Sequence, residues 1–464
     1  MSRTKVCVVS LGCSKNLVDT EVMLGHLERA GCAFVQDADE ADVLVVNTCG
    51  FIGAAREESV RTILDAAKLK ETGRLKRLIV AGCMVQRYRD ELRRELAGDV
   101  DAFVGLDELQ DIVGAVSKAP QPAAPPRNDV PMLAAARRRT ATAATHRSRY
   151  LYDAATPRKL ATPPWTAFVK IAEGCDHTCS FCAIPSFRGA FRSRSADDIV
   201  REAESLARRG VKEINLIAQD TSHFGRDRGD SAGLAGLLER LDAVPELRWV
   251  RVHYLYPNTV TDRLIDTMAR CPRVVDYVDM PLQHAHADTL KRMRRGGSAE
   301  SHLELLGRFR RAMPFAAMRS TFIVGYPGET EREFDELVAF VREARFDHLG
   351  VFTYSHEDDT PAEEAVDDVP ESVKEARRDR LMLEQQRIVF DKNEARLGAI
   401  AEVLVEGAHP ETEHLLVGRT SSQAPDVDGQ VLLNDGYAEP GTFARVVFTE
   451  TAGYDLVGRI LGAS

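Results

Sequence analysis

The sequence predicts an α/β protein in three modules. These are an N-terminal domain with a parallel sheet, a central open barrel of six βα units, and a small antiparallel β-barrel. Three observations predict this. Short apolar runs alternate with helical periodicity over residues 4–117 and again over 161–395. The second stretch holds six strand-like runs, fewer than a closed eightfold barrel needs. From 396 to 464 the helical period vanishes, and short runs are separated by turn signals such as PDVDG and NDG.

In the first domain the strands are Lys5–Ser10, Val43–Asn47 and Leu78–Ala81, and Thr20–Ala30 and Arg56–Leu69 carry helical patterns. Residues 118–160 include AAPPRNDVPMLAAARRRTATAATHRSR, rich in Ala, Pro, Arg and Thr. They read as a linker that is partly disordered and locally basic. Arg137 to Arg139 within it are either a solvated run or a contact for RNA. The barrel strands are Ala167–Ala172, Glu213–Ile217, Trp249–Val252, Tyr277–Met280, Met318–Val324 and His348–Phe352, and a helix over Glu371–Arg396 closes the region. The last module has Ile400–Val405, Leu415–Arg419, Gln430–Leu433, Thr442–Thr449 and Asp455–Ile460, a five-stranded pattern of the OB-like kind. No internal repeat is present.

The chain has 464 residues, 44% hydrophobic and 28% charged, which suits two to four domains with a large core. Sixty-one Lys and Arg against 71 Asp and Glu give a net charge of −10. That balance argues against a protein whose whole surface grips nucleic acid, while leaving a local basic patch open. No stretch approaches the roughly 18 apolar residues of a membrane helix. Residues 1–10 run into VCVVS without a signal-peptide pattern, so a cytoplasmic location is expected. Nine cysteines, an odd number, do not read as a disulfide framework.

The cysteines carry the chemistry. Residues 173–182 read Glu-Gly-Cys-Asp-His-Thr-Cys-Ser-Phe-Cys, so Cys175, Cys179 and Cys182 are spaced Cys-x3-Cys-x2-Cys directly after the first barrel strand. Three thiolates at this spacing suit one cubane iron–sulfur cluster and leave one iron without a protein ligand. A structural zinc site is the competing reading, with His177 as fourth ligand. In the first domain, Cys13 in SLGCSKN, Cys49 in NTCGFI and Cys83 in AGCMVQ each follow a predicted strand, where α/β sheets gather ligands. A lone cysteine there is more often a small buried residue; three placed alike point to a common site.

The Cys175–Cys182 motif resembles that of the radical S-adenosylmethionine (SAM) superfamily. With Cys13, Cys49 and Cys83 added, nearly the whole chain resembles the methylthiotransferase family, whose terminal β-barrel is of the TRAM type. The resemblance implies two 4Fe–4S clusters. One, on Cys175, Cys179 and Cys182, would chelate SAM at its open iron and generate a 5′-deoxyadenosyl radical. The other, auxiliary cluster, on Cys13, Cys49 and Cys83, would carry the sulfur to be transferred. Cys7, Cys32 and Cys271 fall outside both patterns and read as buried thiols.

Other stretches match the family after barrel strands: NLIAQDT at 215–221, RVHYLYP at 251–257, PLQH at 281–284 and GYPGET at 325–330. Gln219, His253, Gln283 and Glu329 there offer polar groups suited to SAM or substrate, and a hydrogen-bonded structural role is equally open for each. Gly325 and Gly328 are turn formers or part of the same surface.

Family members modify either a tRNA adenosine or the twelfth-numbered protein of the small ribosomal subunit. SLGCSKNLVDTEVMLG, NTCGFIGAAREES and EGCDHTCSFCAIPSFRGAFRSR resemble the ribosomal-protein branch. The tRNA branch has GCQMN- or GCKVN-like text at the first cysteine and NTCSV-like text at the second, and this sequence departs from both. Charge points the same way. Residues 396–464 contain four basic and ten acidic residues, a balance of −6. A tRNA-gripping module should be basic, whereas an acidic one suits a basic protein partner. The resemblance thus implies methylthiolation of an aspartate β-carbon, an unactivated C–H position that needs a radical. One SAM would give a methyl group and a second would give the radical. The implied partners are the ribosomal protein or ribosome and a low-potential electron donor of the flavodoxin or ferredoxin type, with no membrane and a monomeric state. A tRNA methylthiotransferase and a zinc-bound RNA- or ribosome-binding protein are the alternatives.

Overall fold

A computed structural model describes residues 3–117 and 150–463. Most of the predicted linker, including Arg137 to Arg139, lies outside the described residues. The chain divides into two compact units. One combines Met1–Ala161, Lys170–Ile199 and Ser355–Glu364; the other combines Thr162–Val169, Val200–Tyr354 and Ala365–Ser464. Both cysteine triplets therefore belong to the first unit, and the predicted SAM-facing polar residues belong to the second.

The first unit is built on a parallel sheet of β1 (Lys5–Ser10), β2 (Ala33–Phe34), β3 (Val43–Thr48), β4 (Arg77–Gly82) and β5 (Ala102–Val104), in the order β2-β1-β3-β4-β5. Every residue of β3 and β4 is buried, as the near-continuous apolar text of a doubly covered parallel strand requires. Alternate residues face opposite sides. Leu44, Val46, Leu78 and Val80 pack with α2 (Gly53–Glu71) and α3 (Cys83–Glu95). Val43, Val45, Ile79 and Ala81 pack with α1 (Ser14–Arg29) and α4 (Ile112–Ser117). β2 and β5 were not predicted, because edge strands of two and three residues leave no apolar run to read. Helix α1 starts six residues before its predicted bound. Its first turns bury Asn16, Asp19 and Thr20, polar residues that break the hydrophobic pattern.

The predicted strand Ala167–Ala172 divides into β6 (Thr166–Lys170) and β7 (Ala172–Glu173). The latter pairs antiparallel with β8 (Arg192–Ser193), while α5 (Ile184–Arg188) lies between them in sequence. Next come α6 (Ala196–Arg208), β9 (Glu213–Ile217), α7 (Gly233–Asp242), β10 (Trp249–Val252) and α8 (Asp262–Arg270). β11 (Tyr277–Asp279), α9 (Ala287–Arg292), α10 (Ala299–Ala312), β12 (Ala317–Val324), α11 (Glu331–Ala344) and β13 (His348–Thr353) complete the six units. The strands form two parallel sheets, β10-β9-β6 and β11-β12-β13, joined by a bridge between Val250 and Val274. The ring is open, as its six strands predict. Helix α12 (Glu371–Glu394) follows.

The last five strands, β14 (Ile400–His409), β15 (Thr412–Thr420), β16 (Val431–Asp435), β17 (Phe443–Ala452) and β18 (Asp455–Ala463), close into a barrel ordered β14-β15-β16-β18-β17. The expectation of an all-antiparallel module needs one correction: β16 and β18 run parallel, because β17 is inserted between them in sequence but lies on the far side of β18. This small barrel is docked on the strand-entry end of the larger one. Trp249, Tyr277 and Ala317 at the starts of β10, β11 and β12 share an apolar cluster with Leu404, Ala424 and Phe443. The Trp249 and Phe443 rings meet edge to face at 4.9 Å. Beside them, Glu213 receives Arg251 at 3.0 Å and Arg419 at 2.6 Å, all buried. One of the four basic residues of the terminal module is thus engaged inside the unit. No helix among the described residues is long and apolar enough to cross a membrane.

Candidate active site

Strand order explains where the first three cysteines meet. β1, β3 and β4 are neighbours, and the chain changes direction across the sheet between β1 and β3, where open α/β sheets form a crevice at their carboxyl ends. Cys13 caps α1 just after β1, Cys49 follows β3, and Cys83 begins α3 after β4. Two glycines let these loops touch. Gly12 has φ +89°, and a Cβ there would lie 2.8 Å from Cys49 Cβ and 3.1 Å from its sulfur. A Cβ on Gly50 would lie 2.8 Å from Met84 Cα and 3.1 Å from the Cys83 carbonyl carbon. Polar side chains pin the loops beneath. Asn16 donates to Leu11 O at 2.6 Å, and its Oδ1 is 3.8 Å from Cys83 Sγ. Asn47 donates to Asn16 O, and Ser59 holds both the N–H and the C=O of Cys49.

The three thiols differ electrostatically. Burial pushes Cys83 up to about 12, although the nearby Arg188 charge opposes this. Burial likewise raises Cys49. The Cys13 thiol goes the other way. Desolvation would raise it, but the charges of Lys15 and Arg188 and the Asn16 and Lys15 backbone N–H groups together bring it below the ordinary thiol value. Metal binding here must therefore displace protons from at least the two raised thiols.

The second triplet sits in a loop closed by Gly174. Its φ is +81°, and a Cβ there would lie 2.2 Å from Ala190 O. Cys175 N–H donates to Gly189 O at 3.0 Å, and Cys182 N–H to Cys179 O at 3.1 Å. Cys179 is buried; Cys175, Cys182 and His177 are half-buried. Among the described residues only His286, Asp288 and Glu333 bring three metal-ligand atoms within 4.8 Å of one another. Neither cysteine triplet, with or without His177, meets that spacing. The donor set of each triplet, three thiolates, suits a cubane iron–sulfur cluster with one iron left open. The His286 group is itself engaged: Arg292 holds both oxygens of Glu333, and His286 Nδ1 accepts from the Asp288 N–H.

A buried square of charge lies between the two triplets. Arg188 Nη1 is 2.9 Å from Glu173 Oε1, and Nη2 is 3.2 Å from Asp19 Oδ2. Lys170 Nζ closes the square on both carboxylates. Arg188 Nη2 also lies 3.0 Å from Cys83 Sγ. A second link comes from residues 355–364. Ala362 N–H donates to Ser180 O, between Cys179 and Cys182. Glu357 accepts from Gly53 N–H at 2.8 Å and pairs with Arg56 and Arg87, and Arg87 donates to Gly50 O beside Cys49. Sequence reasoning missed Asn16, Asp19, Arg188, Arg87 and Glu357. The first three stand within or beside the quoted cysteine motifs; Arg87 and Glu357 carry no such signal.

In the second unit the barrel rim holds the other predicted residues. Gln219 and Gln283 are half-buried, and His253 and Glu329 are buried. His253 lies between Asn215 at 3.1 Å and Asp279 at 3.4 Å. Asp279 is drawn down to about 2. Burial opposes this, but the His253 hydrogen bond and the Arg319 charge outweigh it. The chain of contacts continues inward: Asp279 to Arg319 at 3.1 Å, then Arg319 to Asp428 at 3.3 Å in the small barrel. Both Glu329 oxygens are engaged, by His284 at 3.3 Å, by Arg377 at 3.3 Å and by the Gly325 N–H. Gly325 and Gly328 both have φ +74°, so each serves as a turn former. Cys7 and Cys271 are buried as expected; Cys32 is only half-buried, because it sits in the short turn between α1 and β2.

Three family profiles match the chain: the radical SAM superfamily over residues 169–341, an uncharacterized protein family, UPF0004, over 5–105, and a TRAM domain over 397–461. The ribosomal protein uS12 methylthiotransferase RimO of Anaeromyxobacter sp. (strain K) is 47% identical over 458 residues, covering 99% of this chain and 93% of that one. The protein of the same name from Solibacter usitatus is 48% identical, covering 98% and 95%. That of Syntrophotalea carbinolica is 44% identical, covering 100% and 98%. Among solved structures, the radical SAM methyltransferase TsrM of Kitasatospora setae, with cobalamin and a [4Fe-4S] cluster bound, superposes with a TM-score of 0.54. At 17% identity over 78% of this chain and 77% of that one, it shares the fold.

Proposed function

The chain belongs to the ribosomal protein uS12 methylthiotransferase (RimO) family of radical SAM enzymes, and we propose that its two cysteine triplets divide the reaction between them. Its substrate is uS12 and its cofactors are SAM and two 4Fe–4S clusters. In our reading Cys175, Cys179 and Cys182 hold the cluster that binds SAM, and Cys13, Cys49 and Cys83 hold the auxiliary cluster. The observation that carries this is the meeting of three cysteine-bearing loops at the carboxyl ends of β1, β3 and β4. When bound, these groups supply a 5′-deoxyadenosyl radical and a methylthio sulfur for the β-carbon of a uS12 aspartate.

The chain's own residues bind, orient and exclude water. Gly174 and the Cys175–Gly189 hydrogen bond fix the SAM-side loop, and Gly12 and Gly50 hold the auxiliary loops in contact. Gln219 and Gln283 are our candidates for direct contact with SAM. His253 and Glu329 act as positioning residues, since Asn215 and Asp279 hold the first and His284, Arg377 and Gly325 hold the second. The acidic terminal barrel, with Arg419 engaged internally, suits a basic protein partner better than RNA. Neither the tRNA reading nor the zinc reading is favoured. We further propose a cytoplasmic monomer reduced by a flavodoxin or ferredoxin type of donor.

Deleting the gene and taking intact masses of the small-subunit proteins, with tRNA nucleosides alongside, tests this function. Loss of one methylthio increment from uS12 with tRNA unchanged is expected. Loss of a methylthio adenosine with uS12 unchanged would overturn the substrate.

A further inference from the structure

Arg188 is encoded with one cysteine triplet and touches the other. It ends α5, six residues after Cys182, yet its Nη2 is 3.0 Å from Cys83 Sγ. Its side chain is 3% exposed. Two carboxylates, Asp19 and Glu173, face two cations, Lys170 and Arg188, and Lys170 already bridges both carboxylates. The square balances without the sulfur, so the Cys83 sulfur is a further acceptor to which one guanidinium N–H is directed.

We propose that Arg188 is a positioning residue that tunes the auxiliary cluster, donating a hydrogen bond to the Cys83 sulfur and raising the reduction potential there more than at the SAM-binding cluster. The inference rests on the cluster assignment above. A donor to a ligating thiolate draws charge from the iron, and a nearby fixed cation favours the more negative, reduced state; both are recognised determinants of cluster potential. Burial keeps the charge from being screened. Asp19, 3.2 Å from the same nitrogen, opposes that cation. Removing Arg188 and removing Asp19 should therefore move the potential in opposite directions.

The test uses two full-length backgrounds reconstituted with iron and sulfide. One carries Cys175→Ala, Cys179→Ala and Cys182→Ala and keeps only the auxiliary site; the other carries Cys13→Ala, Cys49→Ala and Cys83→Ala. Each is combined with Arg188→Gln, Arg188→Lys or Asp19→Asn, and potentials are read by EPR-monitored titration. In the auxiliary-only background Arg188→Gln should shift the potential negative, Asp19→Asn should shift it positive, and Arg188→Lys should restore most of the wild-type value. In the other background, which lacks the Cys83 acceptor, Arg188→Gln should shift it by less. If Arg188→Gln does not load, the sign of the Asp19→Asn shift decides. An unmoved potential, shifts of one sign for both variants, or equal shifts in both backgrounds would overturn the proposal. An auxiliary-only protein that binds no iron, while the other background does, would instead overturn the cluster assignment, and the inference with it.

Discussion

Replacing Gly12 by alanine should empty one metal site and spare the other. An L-residue held at φ +89° costs about 1–3 kcal/mol in backbone strain. The larger effect is steric. The new Cβ would lie 2.8 Å from Cys49 Cβ, whereas carbon atoms in contact sit about 3.5–4.0 Å apart. Relief requires the Cys13 and Cys49 loops to part by about 0.7 Å or more, well beyond the roughly 0.2 Å tolerance of metal–ligand distances. Iron and sulfide per chain in the Gly12→Ala protein should fall to half, measured after anaerobic reconstitution. Reductive cleavage of SAM to 5′-deoxyadenosine should survive, while methylthiolated uS12 should not form. Gly174→Ala is the mirror experiment. Its Cβ would meet Ala190 O at 2.2 Å, so it should lose the SAM-side cluster and both activities. A Gly12→Ala protein with full iron content and normal product would refute the claim that contact between these loops builds the site.

Three further predictions concern buried charge. Glu213→Gln leaves the fully buried Arg251 without a carboxylate and Arg419 with Glu406 alone, and should cost about 3–5 kcal/mol. Arg419→Met leaves a balanced pair and should cost less, so the thermal midpoints should rank wild type, Arg419→Met, Glu213→Gln. His302 is buried with neither ring nitrogen hydrogen-bonded, and desolvation, aided by Arg295, lowers it to about 4 from 6.5. Because the folded state resists protonation, its stability is full above pH 6.5 and declines as pH falls towards 4, by about 2 kcal/mol at pH 5. His302→Leu should flatten that slope in denaturant titrations at pH 7 and 5; an unchanged slope would refute it. Glu357→Gln leaves Arg87, whose side chain is 1% exposed, with only the more distant Asp359 carboxylate at 3.9 Å. Hydrogen exchange should rise together in residues 355–364 and 50–56, and a rise confined to the first segment would show that the two are not coupled.

Apolar periodicity made most of the fold legible. β3, β4 and β9 are uniformly buried runs, and their text reads as such. Where a strand is two or three residues long, as in β2 and β5, no period can register. Where helix α1 buries Asn16, Asp19 and Thr20, the hydrophobic pattern starts late. The cysteines were legible because their spacing is chemical text, and a thiol triplet at strand ends has few other uses. Their supports were not. Arg188 contacts Cys83 across 105 residues and Glu357 contacts Arg56 across 301, distances over which a single sequence carries no signal. Nor did composition reveal that Arg419 turns inward: a charge count assigns every arginine to the surface, and only the packed interface shows which one pairs with Glu213.

The barrel rim carries one more signal that spacing could not. Three successive strands leave the sheet through a left-handed residue: Tyr254 after β10 with φ 61°, Gln283 after β11 with φ 72°, and Gly325 after β12 with φ 74°. Glycine adopts this conformation without penalty, and at position 325 it is used. A side chain at such a position costs about 1–3 kcal/mol and persists only where its surroundings hold it. They do so here. Tyr254 N–H donates to Asp279 at 3.2 Å and its carbonyl accepts from Thr221 N–H at 3.1 Å. Gln283 donates to Thr321 O and accepts from Ile323 N–H, both at 2.8 Å. If backbone direction alone were required, glycine would meet it at all three. Side chains kept under strain at two adjacent strand ends mark Tyr254 beside Gln283 as functional candidates. They also explain why Asp279, which fixes the Tyr254 backbone and the His253 ring together, is so strongly held in its charged form.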